Sequence, residues 1–225
     1  IGILLSIIGV LAYHGISKIS WEFMMDPPTG GMREGGIFPC IVGTFLLVLV
    51  MSIVMMPIGV FTAIYLNEYA PKKSRFVNLV RISLQNLAGV PAIVYGLFGL
   101  GFFVYFIGGN IDKIFFEEPT WGKPALLWAS FTLALLTLPT VVVSTEEALR
   151  RVPYSFREAA YAMGMTKWQV IRHAVLPQAM SGVLTGGVLA LSRGAGEVAP
   201  VMLTGAAYYL PKLPSSPLDQ FMELG

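Results

Sequence analysis

Apolar residues along this chain gather into long runs separated by short polar stretches, which is the pattern of helices lying in lipid. A helix needs about 20 apolar residues to cross a bilayer. Five runs reach or approach that length: 1–16, 37–66, 87–107, 125–143 and 182–203. The first is short and reads as a span cut at its beginning. The second is long enough to tilt or to extend past the membrane. Pro57, Pro91 and Pro139 fall within or beside these runs, where neighbouring groups in a packed bundle compensate a lost backbone bond. Residues 74–87 follow another rhythm. Phe76, Leu79, Val80, Leu84 and Leu87 recur at helical spacing with Arg75, Asn78, Arg81 and Gln85 between them, which predicts an amphipathic helix bracketing the membrane surface. The final stretch, 205–225, carries Pro211, Pro214 and Pro217 and does not span. This predicts a chain that ends on the outer side after five spans, with a sixth helix missing. The fold class expected is all-α, a polytopic membrane helical bundle forming one domain over 1–225.

Composition agrees. Of 225 residues, 55% are hydrophobic and only 12% are charged, against roughly 25% charged in an average soluble domain. Mean hydropathy is +0.70. A net charge of +2 gives no electrostatic footprint for nucleic acid. The single cysteine, Cys40, has no partner for an internal disulfide or a metal site and reads as a small hydrophobe. His14 and His173 are far apart and form no metal-binding pattern. Tyr13, Trp21, Trp121 and Trp128 lie near span ends and read as interfacial anchors. The methionines read as core filler or lipid-facing side chains. Thr120 to Lys123 reads as an outer turn.

Orientation follows from lysine and arginine in the loops. Lys72, Lys73, Arg75 and Arg81 lie between the second and third runs, and Arg150, Arg151, Arg157, Lys167 and Arg172 between the fourth and fifth. The other side holds Lys18, Arg33, Lys113, Lys123 and Lys212. The richer loops alternate correctly with the spans and are therefore assigned to the cytoplasm.

The loop 144–181 carries the most information. It reads as two short helices with a hinge. Ser155 followed by Glu158 has the form of a capping box, as has Thr166 followed by Gln169. Gly164 lies between them, where a left-handed helix end favours glycine. Ala159 and Ala160 offer a smooth surface that another protein can approach closely.

The fifth run contains Ser192, Arg193 and Glu197, with Gly186, Gly187, Gly194 and Gly196 around them. An arginine at the centre of a membrane helix costs about 2.5–3.5 kcal/mol on insertion scales, so a lipid-facing position is unfavourable. Glu197 follows one turn later on the same face. The pair either glues the bundle together or lines a polar path. In the second reading the planar guanidinium suits an oxyanion such as phosphate. Glu197 then holds Arg193 between cycles, or accepts the proton that phosphate keeps near neutral pH.

The loop is similar to the EAA loop of ABC importer permeases: Glu158, Ala159, Ala160, three residues, Gly164, nine residues, Ala174, one residue, then Leu176 and Pro177. Ala174 stands where that family commonly has isoleucine. The stretches 35–44, 63–70, 87–99, 145–150 and 192–197 further resemble the PstA-type permeases of phosphate importers, so the likeness covers roughly residues 35–205. The resemblance implies an inner-membrane subunit that forms half of a phosphate path and docks a cytoplasmic ATPase through Glu158, Ala159, Ala160, Gly164, Leu176 and Pro177. It implies as partners a second permease of PstC type, a PstB-type ATPase dimer and an extracytoplasmic PstS-type phosphate-binding protein, with membrane lipid around them. ATP and magnesium belong to the partner ATPase. The chain itself has no Gly-x-x-x-x-Gly-Lys-Ser/Thr phosphate loop, and no catalytic residue or cofactor is assigned to it. The alternatives are a permease for sulfate, molybdate or phosphonate, the sister PstC-type subunit, and, from another class, a signalling or anchoring subunit. An intramembrane enzyme finds no Ser/His, Asp/Asp or His/Glu/His constellation within the spans.

Overall fold

The computed structural model describes residues 2–16, 18–31, 34–71, 74–116, 118–210 and 212–224. Arg33, Lys72, Lys73 and Pro211, used above, lie outside them. The described chain is mostly helical. A lone antiparallel hairpin pairs β1 (Pro28–Thr29) with β2 (Glu34–Gly35), in the register Pro28 to Gly35 and Thr29 to Glu34.

Helix α1 (Gly2–Ile16) buries none of its side chains. The one-turn helix α2 (Trp21–Met25) is capped by Ser20, whose hydroxyl accepts the Phe23 N–H at 3.1 Å. Helix α3 (Phe38–Ile64) runs on through a π-helical turn, Tyr65–Tyr69. The surface helix α4 (Arg75–Ala88) matches the amphipathic expectation and buries only Val77. Next, α5 (Ala92–Gly99), a π segment (Leu100–Gly108) and α6 (Gly109–Phe115) make one rod. Helix α7 (Leu126–Arg151) follows, then the short α8 (Tyr154–Ala162). After these, α9 (Lys167–Val170) passes through a third π segment (Ile171–Val175) into α10 (Leu176–Ala195) without a break. Helix α11 (Ala199–Thr204) is separate.

Several sequence expectations need correction. The described residues contain four helices long and apolar enough to cross a membrane: Phe38–Tyr69, Ala92–Phe115, Leu126–Arg151 and Lys167–Ala195; Gly2–Ile16 is shorter. The run 182–203 is not one span. Its helix begins at Lys167, because the first turns are amphipathic rather than apolar, and it ends at Ala195. There Gly196 closes the helix, its N–H donating to the Arg193 carbonyl at 3.2 Å, and Pro200 opens α11. The run 87–107 splits at Pro91, which gives Leu87 to α4 and starts α5 at Ala92. The fourth span continues past 143 to Arg151, so the first part of the supposed loop, 144–151, belongs to α7. Its second short helix is simply the start of the α9–α10 rod. The Ser155–Glu158 capping box is absent: Pro153 holds the N-cap position, and no side chain caps the helix. Trp128 is no interfacial anchor. It is 2% exposed, and its indole N–H donates to the Trp121 carbonyl at 2.8 Å.

Helix α7 is the hub, packed by α3, α10, α5 and α11. Within its apolar window 67% of residues are buried, against 22% for α3. Small residues permit the approach. A side chain at Gly59 would stand 2.6 Å from the Val141 Cγ1, and one at Gly186 would collide with the Ser144 hydroxyl. Three buried hydroxyls on α7 are satisfied within the helix: Ser130, Thr132 and Thr137 donate to the carbonyls of Leu126, Trp128 and Leu133 at 2.7–2.8 Å; that of buried Thr145 has no partner among the described residues. The segment 206–224 folds back as a flap. The Leu126 and Leu127 N–H groups, orphans of the first turn of α7, donate to the Asp219 and Pro217 carbonyls. Phe221 is fully buried among Leu47, Leu126 and Ala129.

Candidate functional site

Two sets of predicted residues lie in different parts of the bundle. The first sits where α10 breaks. Gly194 packs on Met51 of α3 and Thr137 of α7, and both of these stand near the middle of their helices. Arg193 therefore stands level with the middles of α3 and α7, at mid-depth of the bundle, and occupies the last turn of α10 rather than the middle of a span. The chain then unwinds over 196–198 and restarts as α11, which packs on α5, with Gly96 against Pro200. Broken backbone at this depth is tolerated where it is held by protein or lines an aqueous cavity. At the break the Arg193 Nε donates to the Glu197 Oε1 at 3.4 Å. The side chains are 38% and 21% exposed, and Ser192 beside them is exposed. That ion pair occupies Nε, and the guanidinium has no other hydrogen bond among the described residues. The terminal N–H groups of this planar guanidinium are thus available to an oxyanion. The position at a helix C-terminus also suits a cation.

A feature the span-by-span reading missed runs toward this break and stops at Leu189, one turn short of Arg193. Between α7 and α10 lies a groove of about 420 Å³, whose lining includes Ser144, Glu147, Arg151, Gln178, Ser181 and Thr185. Ser181 and Thr185 are one turn apart, and Ser192 is two turns beyond Thr185 on the same face. The signal was present as small polar residues at helical spacing. It was hidden because α10 was taken to begin only at Gly182.

The second set forms a helical hairpin at the other end of α10. Glu158 and Ala159 are exposed, while Ala160 is 2% exposed and packs into the core with Val170 and Ile171. Gly164 has φ +79. Its N–H donates to the Tyr161 carbonyl at 2.9 Å, and the Met165 N–H donates to the Ala160 carbonyl at 3.3 Å, a Schellman closure. The Thr166–Gln169 capping box is present, with the Thr166 N–H donating to the Gln169 Oε1 at 2.8 Å. Leu176 is half-buried, and Pro177 is exposed at the start of α10. Tyr154, Phe156 and Trp168 are exposed on the same hairpin.

Sequence reasoning also missed the ion pairs beneath this hairpin. Arg157 donates to the Glu68 Oε1 at 2.8 Å. Glu146, on α7, accepts from Arg81 at 2.7 Å and from Arg150 at 2.6 Å. Glu68 and Arg157, and Arg81 and Glu146, are far apart in the chain, so spacing could not pair them; Glu146 and Arg150, one helical turn apart, were open to it. The available hint was glutamate just past an apolar run, Glu68 after 37–66 and Glu146 after 125–143.

The fold thus defines a multi-pass helical membrane protein. The chain belongs to the family described as binding-protein-dependent transport system inner membrane component, whose model matches residues 55–221. It is 28% identical over 221 residues to the probable ABC transporter permease protein YqgI of Bacillus subtilis, covering 98% of this chain and 70% of that one. It is 34% identical to the phosphate transport system permease protein PstA of Mycobacterium leprae (89% of this chain, 61% of that one). It is 40% identical to PstA of Yersinia pestis (84% and 59%). The chain therefore spans about three-fifths of the length of those two PstA relatives. Among solved structures, an inward-facing MetNI methionine ABC transporter aligns at TM-score 0.47 and 20% identity, covering 71% of this chain and 68% of that one.

Proposed function

We propose that the chain is a permease subunit of an ATP-driven importer for inorganic phosphate. It forms half of the translocation path and takes up ATPase movement through the α8–α9 hairpin. The observation that carries this reading is the break between α10 and α11 at mid-depth, with Arg193 and Glu197 on it and a partly polar groove that runs from the hairpin end as far as Leu189, one turn short of it. An unwound, ion-paired segment inside an apolar bundle is costly unless it meets a polar solute. The names of the PstA relatives favour phosphate as that solute.

In this reading Arg193 and Ser192 contact the passing anion, and Glu197 holds the guanidinium when the path is empty. Glu158, Ala159, Ala160, Gly164, Leu176 and Pro177 form or support the docking surface. Arg75, Arg81, Arg150, Arg151, Arg157, Lys167 and Arg172 mark the hairpin end as cytoplasmic. The partners are a PstC-type permease, a PstB-type ATPase dimer that binds ATP and magnesium, and a PstS-type binding protein on the outer face.

The test is a competition assay. The complex, assembled with these partners in proteoliposomes, should show ATPase activity stimulated by phosphate-loaded binding protein and ATP-dependent uptake of phosphate. Arsenate should compete, and sulfate and molybdate should not. Uptake of sulfate or molybdate in preference to phosphate would move the assignment to another oxyanion. No uptake of any anion by an assembled complex would favour an anchoring subunit.

A further inference from the structure

The movement of a docked hairpin has an obvious route into α7 and α10, because α8 is joined to both by short stretches of chain. Helix α3 has no such link, since Glu68 and Arg157 are 89 residues apart in sequence. Yet α3 bears Met51, the residue that abuts Gly194 beside the mid-depth break. A displacement of α8 can reach α3 only through side-chain contacts.

One contact is built for this. The Arg157 guanidinium donates to the Glu68 Oε1 at 2.8 Å, to the Val152 carbonyl at 2.9 Å and to the Leu149 carbonyl at 3.1 Å. It thereby joins α8, the last carbonyls at the C-terminal end of α7 and the π-helical end of α3. The two side chains are only 11% and 13% exposed, so water does not loosen the pair as it does at a surface. The Glu68 Oε1 also accepts from the Asn67 Nδ2 at 2.9 Å. Beside this, the Lys167 ammonium lies 4.6 Å from the centre of the Tyr69 ring, a second tie between the hairpin and the same end of α3.

We infer that the Glu68–Arg157 ion pair is the joint through which displacement of the docked α8 reaches α3 and, along that rigid helix, the Met51–Gly194 contact at the break. Glu68 and Arg157 are positioning residues that touch neither the anion nor nucleotide. The assignment rests on the importer reading above. Coupling carried by packed side chains and stiff elements is the physical form such a joint takes.

The readout is phosphate taken up per ATP hydrolysed, measured on the complete complex in proteoliposomes for the unmodified protein, Glu68→Gln, Arg157→Gln and the double variant. Trp128→Phe, at the far end of the bundle, serves as a destabilised control. The expected result is a fall in the ratio of about 5-fold or more, the lower end of coupling between sites, with ATPase stimulation retained. The double variant should be no worse than either single one, and Trp128→Phe should keep the normal ratio. An unchanged ratio in either single variant would overturn the inference, as would an equal fall in Trp128→Phe.

A second measurement covers variants that fail to assemble. Spin labels at Tyr65 and Tyr161, in an otherwise unmodified complex lacking Cys40, should keep one separation with and without a non-hydrolysable ATP analogue. A nucleotide-dependent separation would overturn the joint. Absence of phosphate uptake by the unmodified complex would instead sink the importer reading, and the label separation would still decide whether α8 and α3 move together.

Discussion

At the scale of single residues, Gly164 shows how one backbone angle can fix a working surface. Its φ of +79 lies in the left-handed region, and no atom stands within 4 Å of where a Cβ would be. Space is therefore not the constraint, and the penalty for a side chain is conformational. Gly164→Ala should lower stability by about 1–2 kcal/mol, the cost of that region for an ordinary residue. Gly164→Asn should cost less, because asparagine tolerates it. Thermal unfolding in detergent of the two variants beside the parent measures both. Gly164→Trp should add a second effect, since a large ring on the exposed tip of the hairpin obstructs a docking partner. It should reduce co-purification of the ATPase more than Gly164→Ala does, and equal recovery with the two would argue against the tip as a docking surface.

At the scale of elements, the flap 206–224 contains a titrating group whose state bears on whether it stays closed. Burial pushes the Glu223 carboxyl up from 4.5 to about 7, and one of its oxygens has no hydrogen-bond partner among the described residues. A pKa raised on folding means that the protonated form favours the closed flap. Its contribution is complete below the unfolded value and is lost as pH rises through about 7. Asp219 opposes this only at much lower pH: hydrogen bonds from the Ser215 hydroxyl and the Ser216 and Ser215 N–H groups hold its carboxyl below the usual value. Cys40 gives a reporter. It is 8% exposed, lines the same cavity as Met222, and lies one turn from Gly43, against which the Met222 carbonyl is pressed. Maleimide labelling of Cys40 should accelerate between pH 6 and pH 8 by more than the ordinary ionisation of a thiol explains, and Glu223→Gln should remove that excess. An identical pH profile in the two proteins would exclude Glu223 as the cause. None of this was legible in the sequence, where prolines at 211, 214 and 217 say only that the segment is not a helix. The spans and the capped turn at Thr166 were legible because they depend on local composition and on residues three apart. The break after Ala195 was not, because the apolar stretches on either side of Arg193, Gly196 and Glu197 were joined into one run. The true start of the α9–α10 rod was obscured because Lys167, Arg172 and His173 interrupt the apolar run without interrupting the helix.

For the molecule as a whole, the central question is whether the charge at mid-depth holds the bundle together or serves the path. A purely structural pair would hold two elements through mutual contact and shield both groups. Here the pair links residues one turn apart across a helix end, at 3.4 Å, with the arginine side chain 38% exposed. Local pairs of this kind contribute roughly 0.3–0.5 kcal/mol when solvated, too little to explain an arginine in an apolar bundle. Substitution at Arg193 should consequently spare assembly and abolish transport. Arg193→Gln should co-purify with its partners, unfold near the parent temperature and lose phosphate uptake by about 100-fold, as expected when a charge-assisted contact worth roughly 3 kcal/mol is removed. Arg193→Lys should retain intermediate uptake, because an ammonium keeps the charge and loses the bidentate fork. Uptake rates, set against recovery of the assembled complex, test this directly. A glutamine variant that transports normally would return the pair to a structural role, and one that fails to assemble while the lysine variant transports fully would show that charge alone, rather than the fork, is what the break requires.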